Sequence, residues 1–234
     1  MTSTQKDPVL VILQLSGGND FMNTIIPYTN PLYYDNRPNV RISEDQVMPL
    51  NDELGFNPNM PEFKGLYEQG KVAIIQGVGY PKPNLSHFRS MDIWHTCEPE
   101  KLADEGWVGR AIRDLDPNKD NVLTGVNFGR GMPRAMAAPG VPVASVGNLE
   151  TYGVLTSIEV EQERAQALDI FSRMYSPAMG HGPVVDYLSQ TGMDALHGAD
   201  ILATAPGKYS STVEYGDSSM SQYMRNIAQV HIAN

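Results

Sequence analysis

The hydrophobic pattern opens on a mostly apolar run of seven residues, Val9-Leu10-Val11-Ile12-Leu13-Gln14-Leu15. Because successive strand residues point to opposite faces, a run apolar at both parities predicts a strand buried on both sides, as in a parallel sheet. It leads into Ser16-Gly17-Gly18-Asn19-Asp20, a loop of two glycines, an amide and a carboxylate. Lys71-Val72-Ala73-Ile74-Ile75-Gln76-Gly77-Val78-Gly79 repeats the pattern and predicts a second strand with a glycine-bearing end. Residues 121–127 and Val141-Pro142-Val143-Ala144-Ser145-Val146 are third and fourth strand candidates.

Between these strands the spacing changes. Phe21 to Tyr28 fits a short helix or an extended stretch, and Pro27 and Pro31 then predict irregular backbone. Tyr33 to Pro61 is rich in proline, Asn and Asp, a long excursion of the kind that packs over a site. Glu62 to Gly70 predicts a short helix closed by glycine. Ser86 is placed to cap a helix carrying Phe88, Met91 and Trp94 inward, and Gly106-Trp107-Val108-Gly109-Arg110 opens another helix running to about Leu115. From Ser157 the texture is helical. Val160, Ala167, Phe171 and Met174 mark one helix, and Val185, Leu188, Leu196, Ala199 and Leu202 a second. Met220, Tyr223, Met224, Ile227, Ala228 and His231 mark a third, capped by Asp217 or Ser218. Strands alternating with helices predict an α/β protein, read as a single domain over residues 1–234.

Charge narrows the function. The chain has 17 basic and 27 acidic residues, formally −10, and no long basic run. That balance argues against nucleic acid or an anionic membrane as partner, since both demand clustered Lys and Arg. No apolar stretch reaches the roughly 18–20 residues of a membrane span. The lone cysteine, Cys97, allows neither an intramolecular disulfide nor a cysteine zinc site, and no Cys motif surrounds it. Gly77-Val78-Gly79 and Gly129-Arg130-Gly131 lack the third glycine of a dinucleotide fingerprint, and there is no G-x-S-x-G elbow. His95, His181, His197 and His231 show no metal-ligand spacing. Trp94 and Trp107 fit core or interface positions.

Two places carry chemistry. Asp20 follows two glycines at the end of a predicted strand, where ligands sit in open α/β sheets. By itself such an Asp is turn chemistry or a helix cap. Its functional alternative is a ligand for a hard cation, with Asn19 as a second oxygen donor. Ser86 is, in the plain reading, an N-cap. The alternative is a nucleophile or anion contact at the positive end of a helix dipole. His87 is its neighbour, but adjacent helix residues do not face each other, so His87 fits a supporting group around the site or a ligand better than the base for Ser86.

Taken together, Leu15-Ser16-Gly17-Gly18-Asn19-Asp20, Asn23-Thr24, Pro27-Tyr28, Tyr33-Tyr34 and Arg37-Pro38 form one set of motifs. Gln76-Gly77-Val78-Gly79-Tyr80-Pro81, Ser86-His87-Phe88, Asp92-Ile93-Trp94 and Gly106-Trp107-Val108-Gly109-Arg110 form another. In this order they resemble the DUF1501 family of bacterial proteins, strongly from Val9 to about Val146 and more loosely beyond. The family is grouped with the alkaline phosphatase superfamily. The resemblance implies an alkaline-phosphatase-like fold, a mostly parallel central sheet flanked by helices. It implies a metal-dependent hydrolase of phosphate or sulfate esters, acting on a small-molecule or polymer ester, with Asp20 on a divalent metal (zinc, calcium, magnesium or manganese) and Ser86 at the nucleophile position. It also implies a periplasmic or secreted protein, although no leader is visible in this chain and a cytoplasmic location stays open. The family's Gly-Phe-Asp-Thr-His-like and Asp-His-Gly-like stretches do not occur here. The expectation is therefore an N-terminal portion, its sheet incomplete toward the C-terminus, inactive by itself. The competing expectation is a non-catalytic secreted binding or assembly protein on the same scaffold.

Overall fold

The computed structural model describes residues 8–15, 17–129, 131–147, 149, 152, 158, 160–174, 193, 196, 198, 199 and 201–233. It is a mixed α/β fold with a small parallel sheet. The chain divides into two compact units, Met1–Gly79 and Tyr80–Asn234.

The first unit is built around an antiparallel sheet of three two-residue strands, β1 (Ile25–Ile26), β2 (Met48–Pro49) and β3 (Gly55–Phe56), in the order β1-β3-β2. The proline-rich excursion thus makes its own core, with Ile26, Tyr33 and Val47 buried against Met22, Tyr28, Tyr34 and Ile42. Pro31 does not break the chain. It starts α1 (Pro31–Asp35), where its missing N–H costs nothing, and Asn30 caps that helix by accepting from the Leu32 N–H. Side-chain amides bind the loops together. Asn23 donates to the Val40 carbonyl (2.7 Å) and accepts from the Tyr33 hydroxyl (2.7 Å), while the Ile42 N–H donates to that same hydroxyl (2.9 Å). Asn57 donates to the Asn23 carbonyl at 2.6 Å. Helix α2 (Pro61–Glu68) ends as the pattern predicts, with Gly70 in the left-handed region (φ +70°).

Neither long apolar run forms a strand. Residues 8–15 and 71–79 lie outside any helix or sheet, and most of their large side chains are exposed: Leu10 is 77% exposed and Ile75 76%, while Val72 and Ile74 are half-buried. A strand apolar on both faces needs neighbours on both edges and cover on both faces. The described residues supply no paired strand to either run. This corrects the expected two-strand core.

In the second unit α3 (His87–Thr96) and α4 (Trp107–Leu115) form where predicted. Their buried surfaces differ from the expectation. Phe88 (92% exposed), Met91 and Trp94 face solvent rather than the core. The inward face of α3 is instead Arg89, Asp92, Ile93 and Thr96, which share the i, i+3, i+4, i+7 spacing of one helix stripe. Asp92 is nearly buried and holds two cations. Arg89 Nη1 donates to Oδ2 at 3.0 Å and Arg134 pairs with Oδ1. Arg89 Nη2 also donates to the carbonyls of Glu98, Pro99 and Lys101, and Arg134 to that of Ala103. A polar cluster of this kind leaves no trace in a hydrophobicity pattern, which explains the misplaced face.

Helix α4 packs on the 3-10 turn Arg134–Met136 at backbone distance. A Cβ at Gly106 would stand 2.1 Å from the Arg134 carbonyl oxygen, and one at Gly109 2.7 Å from that of Met136. After α4, Asp116 organises a tight loop. Its carboxylate accepts from the N–H groups of Asp120 (2.9 Å) and Asn121 (3.1 Å) and from the Thr124 hydroxyl (3.0 Å). The loop delivers Leu123 into the core just before β4 (Val126–Phe128). β4 pairs in parallel with β5 (Ala144–Val146), so the third and fourth strand candidates do form a parallel sheet, each shorter than its apolar run.

The helical half follows. α5 spans Glu161–Met174, α6 takes in helical residues 201–208, and α7 spans Ser219–Ala233. Ser218, not Asp217, caps α7, accepting from the Ser221 N–H at 3.2 Å. Leu202 and Ala205 of α6 and Val230 of α7 bury against Leu123, Ala144, Val146 and Leu149. The expected helix positions Val185 and Leu188 lie outside the described residues.

Two predictions follow from this packing. Gly106→Ala forces a methyl into backbone oxygens that cannot move without shifting the Arg134–Met136 turn, and should lower stability by about 1–3 kcal/mol in a denaturant titration. Asp116 has its carboxyl held below the usual carboxylate range, first by the Asp120 N–H and then by that of Asn121. A group with a lowered folded pKa contributes stability that is present above its unfolded value, about 3.9, and lost as pH falls through the folded value. Unfolding midpoints measured from pH 6 downward should therefore fall less steeply below about pH 4 for Asp116→Asn than for the parent chain.

Candidate functional site

The two candidates fall in different units, and each has its own surroundings. In the first unit, Gly17 adopts a left-handed φ of +98°, which turns the chain from the apolar run toward Asn19 and Asp20. Asp20 precedes a 3-10 turn, Phe21–Asn23, but its side chain does not cap it. Its backbone carbonyl accepts from the Asn23 N–H (3.0 Å), and the Thr24 hydroxyl reaches both that carbonyl (3.1 Å) and the Asn19 amide oxygen (3.3 Å). The Asp20 carboxylate pairs with Arg37. Arg37 follows α1, with its guanidinium 5.9 Å from the centre of the Tyr33 ring. Sequence reasoning passed over Arg37 as a functional group. The signal was present in Arg37-Pro38, but pairing across seventeen residues is not readable from spacing.

The Asn19–Asp20 loop thus offers one carboxylate, already neutralised, and one amide oxygen that already accepts a hydroxyl. Hard cations take about six to eight oxygens, commonly with more than one carboxylate. Among the described residues there is no group of three or more His, Cys, Asp or Glu that could hold a metal ion. One carboxylate paired with Arg37 and one amide oxygen do not make a donor set that fits a metal centre.

In the second unit Ser86 is the N-cap of α3, a ten-residue helix, with extended backbone at Ser86 and its Oγ accepting from the Arg89 N–H at 3.5 Å. The approach to the cap is tightly held. Ser86 N–H donates to the Asn84 side chain (2.8 Å), Asn84 N–H donates to the Tyr80 hydroxyl (3.1 Å), and the Ser90 hydroxyl donates to the Asn84 carbonyl (2.7 Å). Tyr80 consequently titrates below the usual tyrosine range, through the neighbouring Ser90 hydroxyl and then the Asn84 N–H. Ser86, His87 and Phe88 are exposed, and no acidic residue occupies the first turn. Among the described residues, no carboxylate or imidazole hydrogen-bonds the Ser86 hydroxyl. This arrangement can hold an anion against free helix N–H groups.

Cys97 is exposed and ends α3 in the left-handed region (φ 56°). Trp94 is half-exposed. No helix among the described residues is long and apolar enough to cross a membrane. His181 and His197 lie outside the described residues. Compared with protein-family models, curated proteins and solved structures, the chain finds no match.

The cap itself can be measured. Ser86→Ala removes the acceptor for the Arg89 N–H and should cost about 0.5–2 kcal/mol, while Ser86→Asp should keep most of that stability in thermal unfolding.

Proposed function

We propose that this chain binds phosphate or sulfate esters through the N-terminus of α3, as part of a hydrolase-type scaffold that does not turn them over with the residues present. The observation that carries this reading is the exposed Ser86 cap. A hydroxyl and the first-turn N–H groups of a ten-residue helix stand together with no carboxylate in that turn to repel an anion. Binding rather than turnover is proposed because the sequence lacks the Gly-Phe-Asp-Thr-His-like and Asp-His-Gly-like stretches that the resemblance leads one to expect. The resemblance to the ester-hydrolase superfamily, and with it a periplasmic or secreted setting, supports the choice of ester class.

A second reading, a binding or assembly protein without catalysis, has one observation in its favour. Leu85, just before α3, and Phe88 in its first turn are almost fully exposed, and Met91 and Trp94 further along the helix are exposed as well. Large apolar surface of this kind marks interaction sites.

Phosphate, sulfate and vanadate titrated against isotope-labelled chain separate the two. Under the ester reading the amide resonances of His87, Phe88 and Arg89 move saturably, Ser86→Ala weakens the effect several-fold, and p-nitrophenyl phosphate and sulfate are not hydrolysed. Resonances that stay fixed through high anion concentration would sink the ester reading and leave the assembly one.

A further inference from the structure

We infer that the Asp20 carboxylate is a structural counter-ion for Arg37, a clasp that fastens the Gly17–Asp20 loop to the end of α1, and that this loop takes no divalent cation. The inference is independent of the ester reading. Three observations carry it. First, the pairing is exclusive: among the described residues Asp20 is the sole acceptor of the Arg37 side chain, and Arg37 is the sole partner of the Asp20 carboxylate. Second, the pair is unequal. The Arg37 side chain is 21% exposed and its Nε is buried with no hydrogen-bond partner, whereas the Asp20 side chain is 45% exposed. Without Asp20, a half-buried guanidinium would keep no protein acceptor among the described residues. Without Arg37, the carboxylate would still reach water. Third, Arg37 is held from its other side by the Tyr33 ring, itself buried in the unit's core and bonded through its hydroxyl to Asn23 and Ile42. The clasp therefore joins the loop to the buried core of the unit.

A structural clasp and a metal ligand predict opposite asymmetries. For a clasp, removing the carboxylate is the more damaging change, because an uncompensated buried charge costs more than an exposed one. A ligand would contribute little to stability until metal is added. The test uses the whole chain with Asp20→Asn, Arg37→Gln and the double variant, read by thermal midpoint and by the rate at which proteinase K cuts near Gly17-Gly18. Calcium, magnesium, manganese and zinc ions are each added alone. The expected result is a larger midpoint drop and several-fold faster cleavage for Asp20→Asn than for Arg37→Gln. The double variant should resemble Arg37→Gln, and no metal should move any midpoint. An Asp20→Asn chain that fails to fold while the double variant folds supports the same conclusion. Three results would overturn it: a metal-dependent rise in the parent chain that Asp20→Asn abolishes, a rise seen only in Arg37→Gln, which would reveal a masked ligand, or single variants indistinguishable from the parent in both readouts.

Discussion

The second unit depends on one nearly buried carboxylate. Asp92 sits on the inward stripe of α3 and receives Arg89 from its own helix and Arg134 from a turn forty-two residues on. One carboxylate between two guanidinium groups leaves a net positive charge, and the structure disperses it into backbone carbonyls: Glu98, Pro99 and Lys101 for Arg89, Ala103 for Arg134. The segment between α3 and α4 is thereby held without a hydrophobic core of its own. The closeness of α4 to the Arg134–Met136 turn then follows, since Arg134 fixes where that turn lies and Gly106 and Gly109 let the helix come up against it. A buried ion cluster is a weak source of net stability but a strict one of geometry, because each charge has few places where it can be satisfied.

The sequence was legible where local chemistry decides the outcome. Ser86 before α3, Gly106 before α4, Gly70 after α2 and the even spacing of α7 are governed by caps and by one helix face, and these elements lie where they were expected. The pairing of residues 126–128 with 144–146 was legible as strand character, though not its short extent. Legibility failed where partners decide. The runs at Val9–Leu15 and Lys71–Gly79 have the apolar pattern of a buried strand, but among the described residues no strand pairs with either. Phe88, Met91 and Trp94 satisfy the helical period as well as Arg89, Asp92, Ile93 and Thr96 do, and only the position of Arg134, distant in sequence, settles which stripe turns inward. An apolar pattern identifies a face. It does not say that the rest of the chain covers it.

The two candidate sites were legible as positions and less so as chemistry. Asp20 does stand in a glycine-bearing loop, and Ser86 does begin a helix. What spacing cannot supply is the company each side chain keeps. Arg37 converts an apparently free carboxylate into half of an ion pair, and the Tyr80, Asn84 and Ser90 bonds convert an isolated hydroxyl into the end of a fixed turn.

The approach of α4 to its neighbouring turn bears on how the Gly106-Trp107-Val108-Gly109-Arg110 segment is to be understood. Its two glycines face carbonyl oxygens, and its arginine donates to the Thr96 and Glu105 carbonyls. Every one of those roles concerns how backbones fit. The segment is a way of seating a helix on a turn, and a motif of that kind specifies architecture without specifying chemistry.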